Sequence, residues 1–169
     1  MPKKMKKAYV PLRYLPYKLT KRDRKKQAIM LTKSRKMYKK GKYYTRKPVT
    51  SYKNKTSNHI LKAKQIYNLD TISPTSNLAK ATGCSIDSLR KIVQKGEGAY
   101  FSSGSRPNQT AQSWGLARLA SSVTGGKAAA VDFDILEKGC KHNKKAFLLA
   151  KQSRKQYNYG HSRTKRVRI

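Results

Sequence analysis

Positive charge is packed into the two ends of this chain and thinned out in its middle, and that distribution decides which part can fold on itself. Residues 1–70 carry 23 Lys and Arg against 2 acidic residues, residues 71–140 carry 8 against 5, and residues 141–169 carry 10 against none. With a net charge of +34 on 169 residues, the ends repel themselves unless they lie along something negative. Nucleic acid, an anionic membrane face and an acidic protein surface all qualify. The apolar residues suffice for one modest core only if the basic ends are left out of it. We therefore expect a compact helical domain at 57–147, preceded by a basic Tyr- and Pro-containing arm and helix (1–56) and followed by a basic tail (148–169).

No apolar run reaches the roughly 18 residues of a membrane span, and no apolar stretch follows MPKKMKK. The expectation is a chain made in the cytoplasm or nucleus, neither secreted nor membrane-spanning. Cys84 and Cys140 lie far apart and form no C-x-x-C, so neither a disulfide framework nor a zinc site is expected, and both read as small buried residues. Trp114, the only tryptophan, is expected in the core.

In the arm, Pro11 and Pro16 break AYVPLRYLPYKL into an extended, helix-averse strip that only docking can order. Tyr9, Leu12, Tyr14, Leu15 and Tyr17 are its candidate docking residues. Thr20 and Asp23 suit the start of a basic helix over 21–40, which Gly41 stops. Ala28, Met30, Leu31, Met37 and Tyr38 give that helix a thin apolar stripe, so it is either a solvated helix or one laid along phosphates or acidic protein. In KYYTRKPVTSYKNKTSN, tyrosines alternate with cations, a pattern that serves stacking on bases as well as packing at a protein interface. Residues 59–69 have helical spacing, and the tail from Arg154, like the arm, is expected to be disordered until bound.

The middle carries the sharpest local pattern. In NLAKATGCSIDSLRKIVQKG, a short helix meets Gly83, Ser85 caps a second helix, Leu89 and Ile92 close the wedge, and Gly96 ends it. This is a helix-turn-helix-like pair; if it reads DNA, Ser85, Asp87, Arg90, Lys91 and Gln94 face the groove, and otherwise it is an αα-corner. Downstream, Ser102, Ser103, Gly104, Ser105 and Arg106 form a candidate phosphate or anion loop, or else a long loop pinned by Arg106, Asn108 and Gln109. Neither a Walker loop nor a nucleophile elbow is present. A helix from Thr110 through Trp114 to Val123 follows. KAAAVDFDILEKG reads either as helix or as alternating strand, and Asp132, Asp134 and Glu137 are expected to pair with the chain's own cations rather than with a metal. Three histidines, His59, His142 and His161, all in or beside basic segments, are a thin supply for catalysis, and no catalytic residue is assigned.

The fold expected is mainly α: a small helical domain with the helix-turn-helix-like pair and long basic N- and C-terminal extensions. Strands around Tyr100 and Val131 would make it α+β. The segments YKKGKYYTRKPVTSY, TGCSIDSLRKIVQKG and GEGAYFSSGSRPNQTAQSWGLARLASSVTGGKAAAVD resemble an uncharacterised family of small basic proteins from large algal and other giant double-stranded DNA viruses, with relatives in marine phages. The resemblance covers roughly residues 8–140, and GSRPNQT…SW…AR is its most specific part. It implies a viral origin and a place in the virion, and it brings no catalytic residue with it. Pro-spaced Tyr, Leu and Val suit particular docking sites, which favours a non-enzymatic minor capsid protein whose arms staple neighbouring capsid proteins or contact an inner membrane or genome. The other reading is a DNA-binding protein, for genome packaging or as a helix-turn-helix regulator. The partners expected are capsid proteins, with double-stranded DNA or an anionic membrane surface beside them. No cofactor, metal or small-molecule substrate is expected.

Overall fold

The structure, a computed structural model, describes residues 8–161 and 163–169. The chain is mainly α, with eight α-helices and one two-stranded sheet among the described residues. Those residues form two units that interleave in sequence.

The first, the basic unit, gathers residues 8–54, 99–110 and 163–169. Strand β1 (Tyr9–Pro11) pairs antiparallel with β2 (Arg166–Arg168), setting Val10 opposite Val167. A 3-10 turn at Leu12–Tyr14 leads to helix α1 (Lys21–Lys39). Thr20 caps α1 by accepting from the Asp23 N–H at 3.2 Å, and Gly41, at φ +72°, ends the turn that follows it. The face of α1 that is buried is mixed: Met30 and Leu31 lie among Asp23, Gln27 and Ser34. The proline-containing strip, expected to be disordered until bound, is instead ordered against its own chain: Val10, Tyr14, Leu15 and Leu19 are all buried. Gly104, at φ +131°, comes so close to Leu31 and Tyr14 that a Cβ there would sit 2.7 Å and 2.9 Å from their side chains.

The second, the helical unit, runs from Lys55 to Gly98 and from Ala111 onward to residue 161. Helix α2 (Asn58–Tyr67) precedes α3 (Ser76–Thr82), a left-handed turn at Gly83, and α4 (Ile86–Ser102). Helix α5 (Ala111–Val123) packs on α2, and short helices α6 (Lys127–Val131) and α7 (Phe133–Gly139) lead to α8 (Lys145–Gln156), which packs on α5, α6 and α7. Leu78, Leu89, Ile92, Leu119, Val123 and Leu136 are fully buried at its centre, each contributing about 2 kcal/mol by leaving water. Leu89 and Ile92 close the α3–α4 wedge as their spacing predicts.

Several expectations are corrected. Gly96 does not end α4; it sits where a Cβ would lie 2.6 Å from the Gly115 Cα, so two glycines let α4 and α5 cross closely and the helix continues to Ser102. Tyr100 and Val131 are helical, not in strands. The 127–139 segment takes the helical reading, broken at Asp132 into α6 and α7. Trp114 is only half-buried. The tail is not an unstructured extension: α8 carries the helical unit to Gln156, and β2 completes the basic unit. The boundary drawn at 147 therefore falls inside α8, and the arm and the end of the tail share one sheet.

Cys84 and Cys140 are buried, as expected, yet they form a disulfide and an antiparallel bridge between the α3–α4 turn and the end of α7. The two cysteines meet only in the folded chain, so their spacing in sequence gives no sign of the bond. The Ser85 N–H donates to the Gly139 carbonyl and the Lys141 N–H to the Gly83 carbonyl, which aligns the two segments. The bond closes a loop across 56 residues of sequence. Reduction, or Cys140→Ser, should lower the unfolding free energy of the helical unit by about 2–4 kcal/mol; an unchanged denaturation midpoint under strong reductant would show that the bond contributes nothing.

Candidate nucleic-acid interface

The described residues of the basic unit contain 21 Lys and Arg and one acidic side chain, Asp23. Asp23 is withdrawn from the surface: it is 7 % exposed, and its carboxylate accepts from the Ser51 N–H at 2.8 Å. The Ser51 hydroxyl and backbone N–H, helped by Lys26 and Arg22, hold the Asp23 carboxyl below its ordinary range. The exposed surface of the unit thus carries cations without side-chain carboxylates. Along α1, Lys21, Arg22, Lys25, Lys26, Lys33 and Lys36 are exposed, in two groups on either side of the uncharged stretch 27–32.

Beneath that surface lies a buried cation. Arg46, 6 % exposed, donates from Nη1 to the Ser34 hydroxyl at 2.9 Å and the Tyr100 carbonyl at 2.8 Å, and from Nη2 to the Ser105 hydroxyl at 2.8 Å. Its guanidinium lies 3.8 Å from the centre of the Tyr100 ring, and the Tyr100 hydroxyl accepts from the Arg46 N–H at 2.9 Å. Burial lowers the Arg46 pKa, and the Tyr100 hydroxyl group works against that shift. Arginine tolerates such a site because it is weakly hydrated and its planar fork meets several oxygens at once. Nothing in the spacing around Arg46 distinguishes it from Lys42 or Lys47, so no local signal marks it as the buried cation.

The Ser102–Arg106 segment is built into this network rather than left open. Ser102 closes α4, and the Ser103 carbonyl accepts from Arg35 Nε at 2.8 Å. Gly104 and Ser105 are buried, and the Ser105 hydroxyl donates to the Arg106 carbonyl, so that of the five loop residues only Ser103 and Arg106 are exposed and Arg106 is the one cation among them. The pinning of the loop falls to Asn108, as one reading expected: Oδ1 accepts from the Val49 N–H and Nδ2 donates to the carbonyls of Val49 and Tyr52. Of the docking-arm residues, Tyr14 and Leu15 are interior, Leu12 is half-buried, and Tyr9 and Tyr17 are exposed.

In the helical unit, Ser85, Asp87, Arg90, Lys91 and Gln94 are all exposed on α4. Ser85 caps the helix, accepting from the Ser88 N–H at 3.2 Å. Asp87 stands 4.0 Å from Arg90 and offsets its charge, so this strip is less positive than the surface of the basic unit. The acidic cluster pairs internally at its buried member: Asp132, 1 % exposed, takes a two-pronged bond from Arg118 at 2.8 Å and lies 3.1 Å from Lys95 Nζ. Asp134 and Glu137 are exposed.

Arg46→Ala would strand the Ser34, Ser105 and Tyr100 oxygens, and should cost the basic unit about 3 kcal/mol, read as faster amide exchange in α1. Unaltered exchange would show the network to be dispensable. Asp23 gives the unit a pH dependence of definite sign. Its folded-state pKa is depressed, so its contribution is complete above the ordinary carboxylate range and is lost as pH falls through the folded value. Asp23→Asn should flatten the acid limb of the unfolding profile, and an unaltered limb would argue against this pairing.

Neither a curated protein nor a solved structure matches the chain. Residues 11–140 match a family defined by sequence, a span that takes in α1, the Arg46 network and the Arg118–Asp132 pair, and by that match the chain belongs to the family of unknown function DUF5824.

Proposed function

We propose that the protein is a non-enzymatic viral structural protein that binds nucleic acid, lying against the genome inside the virion and neutralising it through the basic unit. The observation that carries this reading is the charge of that unit: 21 cationic side chains among its described residues, against one acid that is buried. A folded surface of this kind attracts a polyanion and gains affinity by releasing its counterions. The viral setting rests on the sequence resemblance alone.

The stapling role of a minor capsid protein draws less support. It asks for an extended arm, whereas Val10, Tyr14, Leu15 and Leu19 are spent on the chain's own interior. A helix-turn-helix regulator is also less favoured, since Asp87 stands within the strip that would face the groove. Among the described residues no helix is long and apolar enough to cross a membrane.

For about 8 neutralised phosphates on duplex DNA, log affinity against log salt should fall with a slope near −7. Changing Lys25, Lys36 and Lys39 of α1 together to Gln should reduce that slope by about 3. The same change at Lys138, Lys141 and Lys151 of the helical unit should leave it nearly intact; equal losses from both triples would remove the assignment to the basic unit. In particles disrupted stepwise, the chain should leave with the DNA, and retention with the shell would favour the capsid role instead.

A further inference from the structure

The most exposed large apolar side chain in the basic unit is Tyr43, 70 % exposed, and it does not stand alone. Its ring centre lies 4.9 Å from that of Phe101 and 6.3 Å from that of Tyr38, itself 40 % exposed. Phe101 meets Tyr100 edge-on at 5.0 Å, and Tyr100 is fixed by the Arg46 guanidinium against its ring and by the hydrogen bond to its hydroxyl. The Phe101 carbonyl accepts from the Ser34 hydroxyl at 3.1 Å, which ties the same residue to α1. An aromatic series therefore runs from a buried cation to the surface, and its inner members are held in place before any ligand arrives. At the outer end the chain turns at Gly41, where the Gly41 and Lys42 N–H groups donate to the Tyr38 and Met37 carbonyls, and Lys39, Lys40 and Lys42, which lie between Tyr38 and Tyr43 in the chain, are exposed.

We infer that Tyr43, with Tyr38 and Phe101, is a stacking platform for an unpaired base, and that Lys39, Lys40 and Lys42 hold the phosphates on either side of it; the ligand is single-stranded nucleic acid. This rests on the nucleic-acid reading above and narrows it. Base faces are hidden within a duplex and open in a single strand, so an exposed aromatic face among cations discriminates between the two. A protein partner fits the patch less well, because lysine is depleted where protein interfaces bury their aromatic anchors. The exposed Tyr43 ring supplies the face, and its rigid neighbours limit the ordering that binding must impose.

The test compares three probes with the full chain at about 50 mM salt: a single-stranded 12-mer, a 12-mer of the same phosphate count with abasic sites throughout its centre, and a duplex of the first sequence. The wild-type chain should bind the base-bearing strand about tenfold more tightly than the abasic one. Tyr43→Ala should erase that difference while leaving duplex affinity unchanged, and Tyr43→Trp should preserve it. Equal affinity of the wild-type chain for the two single strands, or an equal loss on all three probes with Tyr43→Ala, overturns the platform and leaves the nucleic-acid reading standing. Failure to bind any of the three overturns both.

Discussion

A guanidinium buried without a carboxylate is the constraint on which the basic unit depends. Arg46 needs oxygens from two separate stretches of sequence: Ser34 on α1, and Tyr100 and Ser105 on either side of the end of α4. If either of these stretches moves away, a charge is left buried and short of acceptors, which costs far more than one lost neutral hydrogen bond. The network thus does for a highly basic segment what an apolar core does elsewhere. It also explains how a unit so rich in cations closes at all: one cation is turned inward and used as the keystone, and most of the others point outward to water.

The helical unit solves its problem differently. Its interior is ordinary apolar packing, fastened at two points, the Arg118–Asp132 pair between α5 and the α6–α7 break, and the disulfide at the α3–α4 turn. Placing an acid at the break lets one side chain satisfy two cations where the backbone changes direction. The tyrosine hydroxyl of Tyr67, which donates to the Val123 carbonyl, is driven by burial to titrate well above its ordinary value and stays neutral there.

Helix starts and stops were legible wherever local chemistry sets them. Thr20 caps α1, Gly83 turns α3 into α4, and Leu89 and Ile92 fall on the buried face, all from patterns within a few residues of each other. What was not legible is tertiary in origin. Gly96 looks like a stop until Gly115 is known to face it, and Cys84 looks single until Cys140 is brought beside it. The serine-rich loop illustrates the same limit from the functional side. Its hydroxyls suggested a phosphate cradle, yet Ser105 serves Arg46, whose side chain is separated from it by 59 residues of sequence. Tyr43 and Tyr38 were recognisable as aromatics among cations, but only Phe101, from a distant segment, turns them into a cluster.

The pairing of β1 with β2 sets Tyr9 opposite Arg168, 159 positions further along the chain, and the basic unit also waits for the segment at 99–110. During synthesis its first 54 residues leave the ribosome long before either partner exists, so the unit is assembled from parts made at different times. Contacts of such long sequence separation form slowly. A chain stopped short of β2 lacks the strand that closes the sheet, and carries the charge of the basic unit without its finished surface. Synthesis through β2 thereby becomes a condition for displaying that surface, a form of quality control written into the order of the chain.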